Sequence, residues 1–486
     1  MRIQFLGIVV LISGVIKAQS ADEAVRYSEL RFGGTARGMG IAGAFGAIGA
    51  DYTSIITNPG GLGLFRKSEG MFSIRLDQII TDSRYDGYGS NDDRFNFNIP
   101  NLGVVFTGKL KKDNKWKFAN FGLGYNRLAN FNANSYYRSS ATRNSILKSY
   151  AYELKGTPAD EITYAGNYSL EAVLAYDAYL VNANPSDNTQ YTTVTDYSNV
   201  NQQISLEQRG AIDELSFAGA ANYNDKVYFG GYLGIPFLYY KERVRHAEQN
   251  TSSDSEYFNS FEQNRSLNTF GIGVNFKMGV IYRPIDWLRL GAAFHTPTYY
   301  GMHDDYSTSL DVSLDTLPPT DLPAPISGKF DYNLVTPLRF VGSVGMIARK
   351  IAFFSFDYER VNYGNARFKM ASEYNDFEMD VNDSISGNYD GANVYRTGVE
   401  FALNKFRLRG GFARYDSPLK NAGSFGDYDG FVNYYTFGTG VRLDKVYFDF
   451  AYVRSFSKAV KLTVNDAPAF DEIIGNKFML TTGFRF

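Results

Sequence analysis

The sequence has no cysteine, three histidines and two tryptophans among its 486 residues. Without cysteine there can be no disulfide, no thiolate metal site and no lipid attached through sulfur. The histidines, His246, His295 and His303, are too few and too scattered for zinc chemistry. Beyond residue 16 no apolar run approaches the ~20 residues that a spanning helix needs, and mean hydropathy is only -0.28. A net charge of -2 gives no overall attraction for nucleic acid. GxSxG, HExxH and Walker-type patterns are missing. The chain therefore reads as a non-enzyme that calls for no cofactor.

Aromatics and glycine are plentiful: 37 Tyr, 39 Phe and 47 Gly. The N-terminus opens with Met1-Arg2, continues through an apolar core from Phe5 to Ile16 and reaches small residues at Ala18, Ser20 and Ala21. That order predicts an export signal over residues 1–19.

From residue 69 onward, segments of about ten residues alternate apolar and polar side chains, the period of half-buried strands. Between 227 and 240 one face holds Val227, Phe229, Leu233, Ile235, Phe237 and Tyr239, and the other Gly230, Tyr232, Gly234 and Pro236. In the last segment Phe478, Leu480, Thr482, Phe484 and Phe486 share one face, opposite Lys477, Met479, Thr481, Gly483 and Arg485. Apolar faces that end in Tyr or Phe suit a bilayer with two interfaces. Short polar turns alternate with longer excursions at 81–97, 131–210, 241–267, 300–336, 364–391, 417–431 and 457–474. The pattern predicts an all-β protein, a transmembrane antiparallel β-barrel of about fourteen strands over 69–486, in the outer membrane of a diderm bacterium. Its short turns face the periplasm. Helical stretches are expected at 145–154 and 170–181 inside the longest excursion, and this loop and 300–336 are candidate walls of an external groove. Phe486 ends the chain on the aromatic that the β-barrel assembly machinery reads.

Residues 20–68 come before the first strand and are expected to form a hatch at the periplasmic mouth of the lumen. Their centre, 31–65, is Gly-rich and apolar. A GxGxxG run from Gly38 to Gly43 follows no strand and carries no dinucleotide reading. Asn58-Pro59-Gly60 makes a turn. Phe45, Ile48, Ile55, Ile56, Leu62 and Phe65 are candidates for the floor of a ligand pocket, with packing against the lumen wall as the competing role. Inward charges of both signs, Asp357, Glu359, Arg396, Glu400, Arg407, Arg409, Asp449 and Arg485, are expected to pair with one another. Arg407 and Arg409 are also candidates for holding a carboxylate head group.

At GGTARGMGIAGAFGAIGAD (33–51) and TNPGGLG (57–63) the chain resembles the long-chain fatty-acid transporter (FadL) family of outer-membrane proteins, with weaker likeness at LGAAFHTP (290–297) and VTPLRFVGSVG (335–345). Family members usually carry Ala where Gly60 stands. The resemblance implies a hatch-closed barrel of fourteen strands that passes hydrophobic molecules sideways through a gap at a kinked third strand. Here that strand is 116–130, with Gly122 and Gly124 at its middle and Pro100 in the strand before it. The function expected is passive uptake of long-chain fatty acids or related lipids, with outer-membrane lipid as a partner. The alternatives are a general porin and a surface-binding protein whose Tyr-rich loops do the work, such as an adhesin or a haem receptor using His246 or His303.

Overall fold

The computed structural model describes residues 19–111, 114–164, 168–195, 199–251, 258–315, 323–349, 351–422, 424, 426–465 and 467–486. Apart from Gln19, the expected signal segment lies outside the described residues. Fourteen antiparallel strands close into a barrel. They are β1 (Glu69–Tyr85), β2 (Tyr88–Lys109), β3 (Trp116–Asn130), β4 (Val200–Tyr223), β5 (Val227–Asn250), β6 (Phe258–Ile285) and β7 (Leu288–His295), followed by β8 (Arg339–Ala348), β9 (Ala352–Asn362), β10 (Gly391–Leu403), β11 (Phe406–Tyr415), β12 (Val432–Arg442), β13 (Val446–Val464) and β14 (Ala467–Arg485). The seam that closes the cylinder runs from Glu69 opposite Arg485 to Tyr85 opposite Ala469.

The alternation in the sequence sets which way each side chain faces. Phe229, Phe276, Phe356, Phe437 and Phe484 point outward and are exposed. A soluble protein does not leave such a continuous apolar belt in water; lipid covers it. No helix among the described residues is long and apolar enough to cross a membrane, so the strands do the crossing.

Several excursions expected as loops are instead ladder. β1 and β2 stay paired up to Tyr85 opposite Tyr88, β5 and β6 up to Gln249 opposite Ser260, and β13 and β14 up to Val464 opposite Ala467. The correction covers 81–97, 241–267 and 457–474. Above the membrane the outer face has no lipid to meet, so polar residues such as Asp82 and Arg84 point outward there and the apolar alternation disappears from the sequence. Within the 300–336 excursion, Tyr299–Leu314 also pairs antiparallel with Ile326–Val335 and, along its other edge, with the outer half of β6.

The 131–210 excursion holds a strand, Ala133–Thr142, and helices α4 (Leu147–Leu154) and α5 (Leu170–Asp177). The second helix is shorter than expected, because Val181 opens a small hairpin, Val181–Asn184 with Asp187–Thr193. Leu147, Tyr150, Leu154, Val173 and Leu174 pack on Tyr85, Tyr137, Phe258, Phe261 and Leu310 of the wall extensions. The apolar face of α5 is therefore covered by the protein itself. A last helix, α6 (Asn375–Asn388), covers the outer end beside Phe368 and Tyr389.

Residues 19–68 lie inside the cylinder as α1 (Ala21–Ser28), α2 (Ala36–Met39), α3 (Ser54–Thr57) and a 3₁₀ turn, Pro59–Leu64. They fill more than the periplasmic mouth. Helix α1 climbs toward the outer end, where it packs under α6 through Tyr389, Val381 and Ile385.

Candidate transport site: hatch, cavity and seam

Asn58 fastens the lower hatch. Its Nδ2 donates to the Gly46 carbonyl at 2.7 Å and to the Val280 carbonyl of β6 at 3.1 Å, while its Oδ1 accepts from Gly60 N at 3.0 Å. The turn fits because the wall recedes there. A Cβ on Gly230 would lie 2.2 Å from the Pro59 carbonyl, and one on Gly279 2.0 Å from Asn58 Oδ1. These two glycines face each other across the β5–β6 ladder. Gly60 approaches so closely that a Cβ would lie 2.9 Å from the Tyr228 carbonyl, which accounts for glycine at that place in the motif.

Charged side chains tie the hatch to the opposite wall. Arg37 of α2 meets Glu400 of β10 at 3.0 Å, Glu400 meets Arg409 at 2.5 Å, and Arg409 meets Asp449 at 2.7 Å. Asp357 accepts from Gly46 N at 3.0 Å, Arg396 pairs with Glu359 at 2.9 Å, and Arg485 with Glu69 at 2.9 Å. Charges that could not be left alone in a dry lumen neutralise one another.

Helix α1 has a different setting. Ser20 caps its N-terminus, reciprocated by Glu23. Gln19 donates to Asp304 at 2.8 Å, Tyr27 to Thr269 at 3.2 Å, and Tyr389 to Asp22. Burial, with the Asp304 carboxylate close by, holds the Glu23 carboxyl well above the usual carboxylate range, although Arg26 works against the shift.

A cavity of about 20 Å3, room for about one water, lies beneath α1. Tyr27, Leu30, Leu128, Asn275, Lys277, His295, Thr298, Tyr300 and Arg339 are among the residues lining it. It nestles where Pro297 and Pro337 interrupt two wall strands. Lys277 is paired with Glu214 at 3.3 Å and Arg339 with Glu359 at 2.8 Å.

Leu128 links this cavity to an irregularity in the wall. The β2–β3 ladder runs from Lys109 opposite Phe118 only as far as Asn101 opposite Asn126. Beyond that, β2 is paired with β1 alone and β3 with β4 alone, and β3 bulges between Arg127 and Ala129. Side chains join the edges instead. Asn101 donates to Asn126 at 2.7 Å, while Asn98 and Asn130 both donate to Asp77 Oδ2, at 3.0 and 2.7 Å. The Oδ1 atoms of Asn98 and Asn101 are buried without a hydrogen-bond partner. Outside, Phe97 stands 65% exposed beside Phe95 and Ile99, so the outer face of the seam is turned toward lipid.

The hatch residues expected as a pocket floor do not meet in one place. Phe45 and Ile48 pack with Ile41 and Phe353. Ile55, Leu62 and Phe65 pack with Tyr52, Met71, Val105 and Ala218, and Ile56 bridges toward the α1 cluster. None lines the cavity. Arg409 has Nε and Nη1 taken by carboxylates, and Arg407 donates to the Asn404 and Phe406 carbonyls. Gly122 and Gly124 lie in intact ladder, facing Leu62 and Tyr52 of the hatch. Pro100, which has no N–H to offer, is skipped by both neighbouring ladders. His246 is held by Glu248 at 2.9 Å and His303 by Asp331 at 2.6 Å. Lys277, Arg339, the niche glycines and the seam asparagines were not singled out from the sequence. Pro297 and Pro337, each between a pair of threonines or beside one, were the local signal for the wall corner.

These features define a plugged transmembrane β-barrel with an incomplete wall. Solved structures share the fold. The toluene transporter TodX of P. putida superimposes with a TM-score of 0.55 at 10% identity, covering 94% of this chain and 99% of that one. A Pseudomonas aeruginosa FadL homologue gives 0.55 at 13%, covering 94% and 99%. The Ralstonia pickettii toluene transporter TbuX gives 0.50 at 15%, covering 95% and 100%. No family model matches the sequence, and no curated protein matches it.

Proposed function

We propose that the protein takes up hydrophobic and amphipathic molecules across the outer membrane, long-chain fatty acids or related lipids among them, with the hatch as gate and the β2–β3 seam as a side exit. The observation that carries this reading is the loss of ladder above Asn101 and Asn126, where the lumen beside α1 meets the lipid belt. Side-chain links can be broken by rotamer changes, without unzipping backbone pairs. Apolar cargo leaving sideways reaches the bilayer, and each Å2 removed from water contributes about 25 cal/mol. No energy coupling is then required. The cavity cations Lys277 and Arg339 are suited to a carboxylate head group if it displaces Glu214 or Glu359. Two of the structural neighbours are toluene transporters and another is a monoaromatic hydrocarbon channel, which supports a hydrophobic cargo. Recognition of the strand ending in Phe486 by the assembly machinery belongs to the same proposal.

The chain lacks cysteine, so a disulfide between Asn101→Cys and Asn126→Cys would be the sole thiol pair. The two positions face each other across the ladder, within disulfide reach. Oxidation should suppress uptake of labelled fatty acid by cells, and reductant should restore it. Equal uptake in both redox states would rule out a lateral route that parts β2 and β3 at this pair.

A further inference from the structure

The net charge of -2 conceals a polarised molecule. The outer helix α6 carries Asp376, Glu378, Asp380 and Asp383 without a single cation. The periplasmic turns are the reverse. Lys111 and Lys115 lie between β2 and β3, Lys226 between β4 and β5, Arg349 between β8 and β9, Lys405 between β10 and β11, and Lys445 between β12 and β13. All are exposed, and among the described residues none is in an ion pair. Of the acids at this end, Asp225 is engaged by Arg66 at 2.8 Å and Asp286 lies 3.6 Å from Arg283, while the exposed Asp444 beside Lys445 offsets only part of the turn charge.

Two further features fix the depth and shape of this charge. The chain's two tryptophans, Trp116 and Trp287, both lie at the periplasmic rim, 40% and 52% exposed. Tryptophan marks the headgroup level of a bilayer. Five of the six short turns between neighbouring strands carry such a cation, all but β6–β7, so the cations form a ring with one gap and not a patch on one side.

We propose that this ring is a binding surface for anionic phospholipid headgroups in the periplasmic leaflet. Attraction between basic residues and an anionic lipid surface fades within a Debye length of about 10 Å. Turns at tryptophan depth are within that range of headgroup phosphates. A soluble acidic partner would engage one sector and leave the rest of the ring unused. A lipid annulus engages all of it. The inference is independent of the transport reading, since it concerns the outside of the barrel.

The test uses the full-length protein in nanodiscs of mixed phosphatidylglycerol and phosphatidylethanolamine, with native mass spectrometry of the lipids retained on release. The wild type should enrich phosphatidylglycerol several-fold, with the enrichment falling as salt rises. Replacing Lys111, Lys115, Lys226, Lys405 and Lys445 by Gln should abolish it, whereas Lys155→Gln with Lys369→Gln on the outer side should not. Heat-modified gel mobility checks that each variant is folded. Equal retention of the two lipids by the wild type would overturn the proposal, as would undiminished enrichment in the turn variant.

Discussion

Asn58 holds three backbone groups that come from two hatch segments and the wall. Asn58→Ala would leave the Gly46 carbonyl and Gly60 N–H short of partners, at about 1–3 kcal/mol for each buried group left unsatisfied. The barrel ladders do not use that side chain. Hydrogen exchange should therefore quicken in residues 44–64 while the strands keep their protection; uniform loosening would show that hatch and wall unfold together. The asparagine-proline turn was legible in the sequence because its residue types dictate the local backbone. Its receptor was not. Gly230 and Gly279 come opposite each other only after β5 and β6 are in register, and glycine is too common in these strands for either to stand out.

Among the elements, α1 is the one whose docking should respond to pH. Its Glu23 faces the acids Asp304 and Glu242, with Arg26 as the near cation, and burial raises its pKa. A carboxyl that holds its proton more tightly when docked makes no difference at pH values below the ordinary carboxylate range. Docking weakens as pH climbs above that range, because the released helix ionises first, and the penalty levels off above the raised value. Exchange in residues 20–29, corrected for intrinsic rates, should show less protection at pH 9 than at pH 5. Glu23→Gln should flatten the profile. A wild-type profile already flat would place the proton elsewhere. The elements themselves differed in how readable they were. Inside the membrane lipid imposes alternation, so β5 or β14 can be read directly. Outside it the same ladders carry polar residues on both faces, and β1 past Ile80 reads as loop.

The whole molecule is closed in this conformation, with the lumen packed by residues 19–68 and α4 and α5 seated on the outer extensions. The strand count followed from the sequence because a membrane barrel must alternate short and long connections. The contents of the lumen did not, because they depend on pairs such as Arg37 with Glu400 that are 363 residues apart. A packed lumen has an electrical consequence. In planar bilayers the wild type should show no large steady conductance, whereas deletion of residues 33–63 should open an ion-conducting pore. The β1–β14 closure does not involve the deleted residues, so the barrel should persist and the current should come from the vacated lumen. A general porin would conduct with its hatch in place. Steady current through the intact protein would therefore show that ions bypass the hatch, and the hatch could then no longer be assigned as the gate.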